Sequence, residues 1–176
     1  AVFSQGSSEP VLYNAGIDAA YCGYNQKGDL FVDGFGSANV PALVELRSGS
    51  GGFVHIALKR ALGLPGQIQW DGTYVTYEGL TKQNITISRL DIDGSSATVV
   101  GTTFFYIKAP ASQSWIYAGN VLIPYGNLGS RGQQNHVGVF DYPSGGKPEH
   151  RIQAPRSYVN SVNFRGVALS LAAGSR

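Results

Sequence analysis

Apolar and polar positions in this chain alternate in short runs, and glycine-rich turns separate the runs. In Ile87-Ser88-Arg89-Leu90-Asp91-Ile92, residues Ile87, Arg89 and Asp91 fall on one face and Ser88, Leu90 and Ile92 on the other, the pattern of a half-exposed strand. Leu30-Phe31-Val32 and Val121-Leu122-Ile123 are continuously apolar instead, as expected of strands covered on both faces. No long window carries helical periodicity. Residues 53–64 come nearest, and Gly63-Leu64-Pro65 ends that stretch. The pattern predicts an all-β protein.

The runs pair into hairpins, and the hairpins repeat. Residues 28–35, 71–77, 118–125 and 165–170 each set a turn-forming residue before a β-prone run, and the steps from Gly28 to Gly72, Gly119 and Gly166 are 44, 47 and 47 residues. A strand-like run precedes each (19–24, 66–70, 113–117, 158–164), joined through a short turn such as Asp71-Gly72. Further hairpins read as 43–46 with 53–56, 87–92 with 97–102, 137–142 with 149–152, and Val2-Phe3-Ser4 with Val11-Leu12-Tyr13. Four short strands and their turns in that span match one β-propeller blade. The expected architecture is a single β-propeller domain over 1–176 with about four blade equivalents. An outer hairpin occupies 1–15, blades about 16–60, 61–105 and 106–155, and an inner hairpin 156–176. The two end hairpins either close a small ring or belong to a larger propeller of which this is part.

Composition narrows the classes. Hydrophobic residues are 43% of 176, enough for a core, and 24 glycines with 11% aromatics suit strands and turns. Thirteen Lys and Arg against eleven Asp and Glu leave a net charge of +2, too small and scattered for a nucleic-acid stripe. Cys22 stands alone, without a disulfide partner or zinc spacing. No apolar run approaches the ~20 residues of a membrane span. Methionine is absent, even at position 1, so the chain is expected to be a processed protein or, preferably, a fragment. An incomplete propeller would bare a sheet face and self-associate.

The stretches DLFVDGF (29–35), VFDYPSGGKPEHRI (139–152) and FRGVALSLA (164–172) resemble bacterial six-bladed β-propellers of the NHL-repeat and gluconolactonase-like type. In that family such YPSGGKP turns join the outer strands of a blade. The similarity runs from Val2 to about Leu171, and since members are about twice as long it implies the C-terminal half. It also implies a secreted, periplasmic or cell-envelope setting. The gluconolactonase-like members hold a divalent ion such as calcium with a Glu, an Asn and an Asp from different blades. Glu78, Asn160 and Asn163 occupy related strands here, but no matched set is found. The resemblance therefore implies a non-catalytic binding or scaffold module without cofactor, with a metal-dependent hydrolase of lactones or related esters as the alternative.

Candidate chemistry is sparse. Asp91-Ile92-Asp93-Gly94 has the form of a calcium loop but lacks its later ligands and reads as a hairpin turn. Asp29 and Asp33 flank a central strand; Asp29 suits a turn, and Asp33 is the better ligand candidate. His55, His136 and His150 fall in different repeats, apart at the rim, and are expected to be solvated or hydrogen-bonded surface side chains. Trp70, Tyr74, Tyr77, Trp115, Tyr117 and Tyr125 gather around the second and third inner hairpins, where they would either stack on a sugar or peptide or fill the wedge between blades. The ligand-binding candidates are Asp33, Trp70, Tyr74, Trp115, Tyr125 and Asn160, with no catalytic or metal residue assigned. The expected partner is a protein or carbohydrate-like ligand, not nucleic acid.

Overall fold

The computed structural model describes residues 1–3, 8–60, 62–80, 84–107, 113–126, 135–153 and 167. Expectations for the inner hairpin, Asn160 and Asn163 fall outside these residues, Val167 apart. The described part is all-β: apart from a 3-10 turn at Ser37–Asn39, every element is a strand. No described helix is long and apolar enough to cross a membrane.

A short ladder of β1 (Val2–Phe3) and β2 (Pro10–Val11) opens the chain. Three four-stranded antiparallel meanders follow. The first holds β3 (Asp18–Tyr24), β4 (Leu30–Phe35), β5 (Pro41–Leu46) and β6 (Val54–Leu58). The second holds β7 (Ile68–Trp70), β8 (Val75–Leu80), β9 (Ile85–Asp93) and β10 (Ser96–Phe105). The third holds β11 (Trp115–Tyr117), β12 (Asn120–Gly126), β13 (Asn135–Asp141) and β14 (His150–Gln153).

The last strands of the first two meanders run parallel, pairing Ala57 with Ser96 and Leu58 with Ala97. The Ala57 N–H donates to the Ser95 carbonyl at 2.8 Å and the Lys59 N–H to the Ala97 carbonyl at 3.3 Å. This join makes one eight-stranded sheet, β3-β4-β5-β6-β10-β9-β8-β7, while β11–β14 form a sheet of their own. The end strands β3 and β7 lie against each other, so the larger sheet is barrel-like and nearly closed.

Alternation decides which side chains fill which layer. Phe31, Leu43, Ile56, Ile68, Val75, Tyr77, Leu90 and Ala97 point into the eight-stranded sheet. Leu30, Val32, Val44 and Leu46 leave β4 and β5 on the opposite face and are covered by Val2, Tyr13, Ala15 and Ile17. Ile85, Ile87 and Phe105 pack against Val121, Ile123 and Phe140 of the third sheet, with the Phe105 and Phe140 rings edge-on at 5.3 Å. Both faces of β4 are thus apolar because both are buried, each large side chain contributing about 1.5–3 kcal/mol of transfer free energy. Strand β9 departs from the half-exposed expectation. Ile85, Ile87 and Leu90 are all buried, and only the end of the strand, at Asp91 and Asp93, is exposed. The third sheet covers the face that a lone hairpin would have left to water.

The seam between β3 and β7 depends on Gly23. A Cβ there would overlap the backbone carbonyl of Ile68, which no side-chain rotation relieves. Gly51, by contrast, has open space around its Cβ position. Gly23→Ala is expected to lower unfolding stability by about 1–3 kcal/mol, the range for an overpacked core. Gly51→Ala should stay within about 0.5 kcal/mol of the parent. Urea midpoints at constant slope check this, and equal midpoints for the two variants would contradict a closed seam.

Candidate functional site

Two hairpin turns and one interstrand loop meet where the second meander faces the third. In the β7–β8 turn, Trp70 pairs with Val75 and the residues between are held by Asp71. Its Oδ1 accepts the N–H groups of Thr73 at 2.9 Å and Tyr74 at 2.7 Å, and its own N–H donates to the Tyr74 carbonyl at 3.1 Å. The β11–β12 turn is tighter: Tyr117 pairs with Asn120 across Ala118 and Gly119, at φ 48° and 76°. Two positive φ values give the mirror-type turn whose twist suits a hairpin. After β13, the Tyr142 N–H donates to the Gly119 carbonyl at 2.9 Å, and the Tyr142 hydroxyl donates to Asp71 Oδ2 at 2.7 Å. That last bond ties the third sheet to the second.

Between these elements lies a cleft of about 520 Å³, lined principally by Trp70, Tyr74, Arg89, Ile116, Tyr117 and Tyr142. A recess of about 280 Å³ shares Trp70 and Ile116 with it and adds Cys22, Tyr24 and Trp115. Gln69 holds the floor: its Nε2 donates to the Ser114 carbonyl at 3.0 Å and its Oε1 accepts the Ile116 N–H at 2.9 Å. The Asp71 carboxylate accepts from Thr73, Tyr74 and Tyr142, and these bonds set it in the wall. Burial raises the Tyr142 pKa, the bond to Asp71 adds to the rise, and the charge of Arg89 opposes it. The tyrosine stays neutral and keeps its proton for Asp71.

The ligand candidates separate. Trp70 and Tyr74 line the cleft, and Trp115 lines the recess with Trp70. Tyr125 is buried in the core, its ring 5.7 Å from His136. His136 is also buried, unlike the exposed His55 and His150, and burial pushes its pKa down. The expectation of a surface side chain there fails because His136 lies on the same face of β13 as Phe140, beside Tyr125 in the packed layer. Asp93-Gly94 is a turn, with Asp93 paired to Ser96 and Gly94 at φ 59°. Among the described residues no group of three or more His, Cys, Asp or Glu side chains converges on one point.

Asp33 lies outside the cleft, completely buried on β4. Its Oδ1 accepts the Tyr21 N–H at 3.0 Å and its Oδ2 the Gly66 N–H at 2.9 Å. Glu78 on β8 stands in the same relation to the next meander: its Oε2 accepts the Ser114 N–H at 3.2 Å and the Ser114 hydroxyl at 2.5 Å. Burial pushes Asp33 up to about 7, against the pull of the Gly66 and Tyr21 donors, and the charge of Glu78 adds to the rise. Burial likewise pushes Glu78 up to about 7, against the two Ser114 donors.

Asp71, Arg89 and Tyr142 were not among the sequence candidates. Arg89 carried a signal, because it interrupts the apolar face of Ile85 and Ile87 on β9. The chain matches no protein-family model and no curated protein sequence, so its function rests on the site.

The buried carboxylates set a pH dependence. Unfolded carboxylates titrate near 4, against about 7 in the folded chain. The folded state holds these protons more tightly, so their contribution is complete below about pH 4 and lost as pH rises through about 7. Urea midpoints should therefore fall between pH 5 and pH 8. Glu78→Gln, whose single carbonyl oxygen can accept both Ser114 donors, should flatten part of that fall; a midpoint rising over this range in the parent protein would reverse the assignment.

Proposed function

We propose that the chain is a β-propeller-type binding module, its three meanders serving as successive blades, and that the aromatic cleft receives a carbohydrate-like ligand. Support for the blade reading comes from the order of the strands. Each meander is a consecutive four-stranded antiparallel unit; the first and second share one apolar layer while joined at the β6–β10 edge, and the second and third pack across another. Face-to-face packing also puts the β7–β8 and β11–β12 turns side by side, which is where the cleft opens.

The observation that carries the binding reading is the lining of that cleft. Trp70, Tyr74, Tyr117 and Tyr142 surround a space within the 300–1,000 Å³ range usual for small-molecule sites. Aromatic faces carry partial negative charge, and the axial C–H groups of a pyranose ring carry partial positive charge, so the two stack favourably. The polar bonds of Asp71, Gln69 and Tyr142 are already made within the protein, so the surface is preformed and little ordering opposes binding. An extracytoplasmic setting, where glycans are exposed, belongs to the same proposal.

Titration calorimetry against a panel of neutral and acidic oligosaccharides tests it. Trp70→Ala and Tyr74→Ala are each expected to weaken binding by up to about tenfold, the equivalent of one stacking contact. Tyr24→Ala, at the outer edge of the recess, should change it less. Absence of binding across the panel, or equal affinities for the Trp70→Ala and parent proteins, would rule the cleft out as a carbohydrate site.

A further inference from the structure

We infer that the ligand of this cleft carries a carboxylate, making the site one for an acidic, uronate-type sugar; the inference rests on the carbohydrate reading above. Arg89 is the reason. It projects from β9 on the same face as Ile85 and Ile87, pairs across the sheet with Thr76 and Gly101, and lines the cleft beside Tyr142. Its Nε is buried and has no hydrogen-bond partner, and among the described residues no carboxylate forms an ion pair with it. Asp71, the acidic group in the same cleft, is committed to Thr73, Tyr74 and Tyr142. A guanidinium keeps its charge at any physiological pH and presents donors in a planar fork. A cation held beside the cleft with a buried donor unpaired is unfavourable, and a ligand carboxylate set against the guanidinium offsets that with charge-assisted bonding.

The sheet is shaped to hold the fork in place. The guanidinium lies over Gly101, where a Cβ would stand 2.9 Å from Cζ and 3.0 Å from Nε. Strand β10 bulges at this point, between Val99 and Gly101. A glycine at a bulge gives the cation room to lie against the strand, with its charge presented next to the aromatic walls. An uncharged sugar would fill the aromatic walls and leave the cation unanswered. An acidic peptide could answer the cation, but its backbone lacks the flat apolar ring face that Trp70 and Tyr74 offer to stack against.

The test compares three acidic oligosaccharides, of galacturonate, mannuronate and glucuronate, each with its carboxyl-reduced neutral counterpart, on the unaltered protein. At least one acidic form should bind ten times or more tightly than its neutral counterpart, with an affinity that falls as salt is raised. Arg89→Gln should erase that ratio by weakening the acidic form far more than the neutral one, and Arg89→Lys should keep part of it. Gly101→Ala retains the charge but displaces the fork, and should also reduce the ratio; circular dichroism and the urea midpoint of each variant check folding. Equal binding of acidic and neutral forms overturns the anionic assignment and leaves the aromatic platform standing. Binding of neither form removes both. Binding of an oligoglutamate peptide without any sugar overturns the sugar assignment and keeps only the cation's role.

Discussion

The chain enters each new meander beneath a buried carboxylate of the meander before it. Asp33 on β4 takes the amide of Gly66 as the chain approaches β7, and Glu78 on β8 takes the amide and hydroxyl of Ser114 as it approaches β11. Burying either group is unfavourable, which is why both pKa values rise to about 7. Two directed donors at each carboxylate offset that penalty. Apolar layers alone would permit the sheets to slide, since hydrophobic contact has no direction. The carboxylate bonds fix where the first strand of the next meander begins.

That fixed entry positions the cleft. Once Gly66 is held, Ile68 to Trp70 must run along β3, and the absence of a Cβ at Gly23 permits the approach. Once Ser114 is held, Ile116 and Tyr117 arrive beside Trp70, with Gln69 bonded to both sides of the junction. The Tyr142–Asp71 bond then closes the far end. Two hairpin turns formed by local rules become one surface because buried bonds bring them together.

Register sorts the aromatic residues between structure and site. Tyr77 and Tyr125 lie on the inward faces of β8 and β12 and are core residues. Trp70 and Tyr74 lie at the end of the β7–β8 hairpin, where the sheets diverge and the rings remain reachable. Arg89 breaks the apolar alternation of β9 just where its face passes from the packed layer to the cleft. Violations of a local pattern that are not compensated by an internal partner mark the places where a fold serves something outside itself.

Much of this was written locally. Period-two runs and Gly-containing turns placed β4, β8, β9, β10 and β12, and Asp71-Gly72 marked a hairpin, because those signals act between neighbouring residues. The aromatic cluster pointed to the pair of hairpins whose turns line the cleft, for the same reason. The sequence could not say that Asp33 is a latch while Trp70 is a wall, that His136 is buried, or that Asp71, Arg89 and Tyr142 share one cleft. Those facts join residues as far as 71 positions apart in the chain. Which face of a strand is covered, and by what, is decided only when one sheet packs on another.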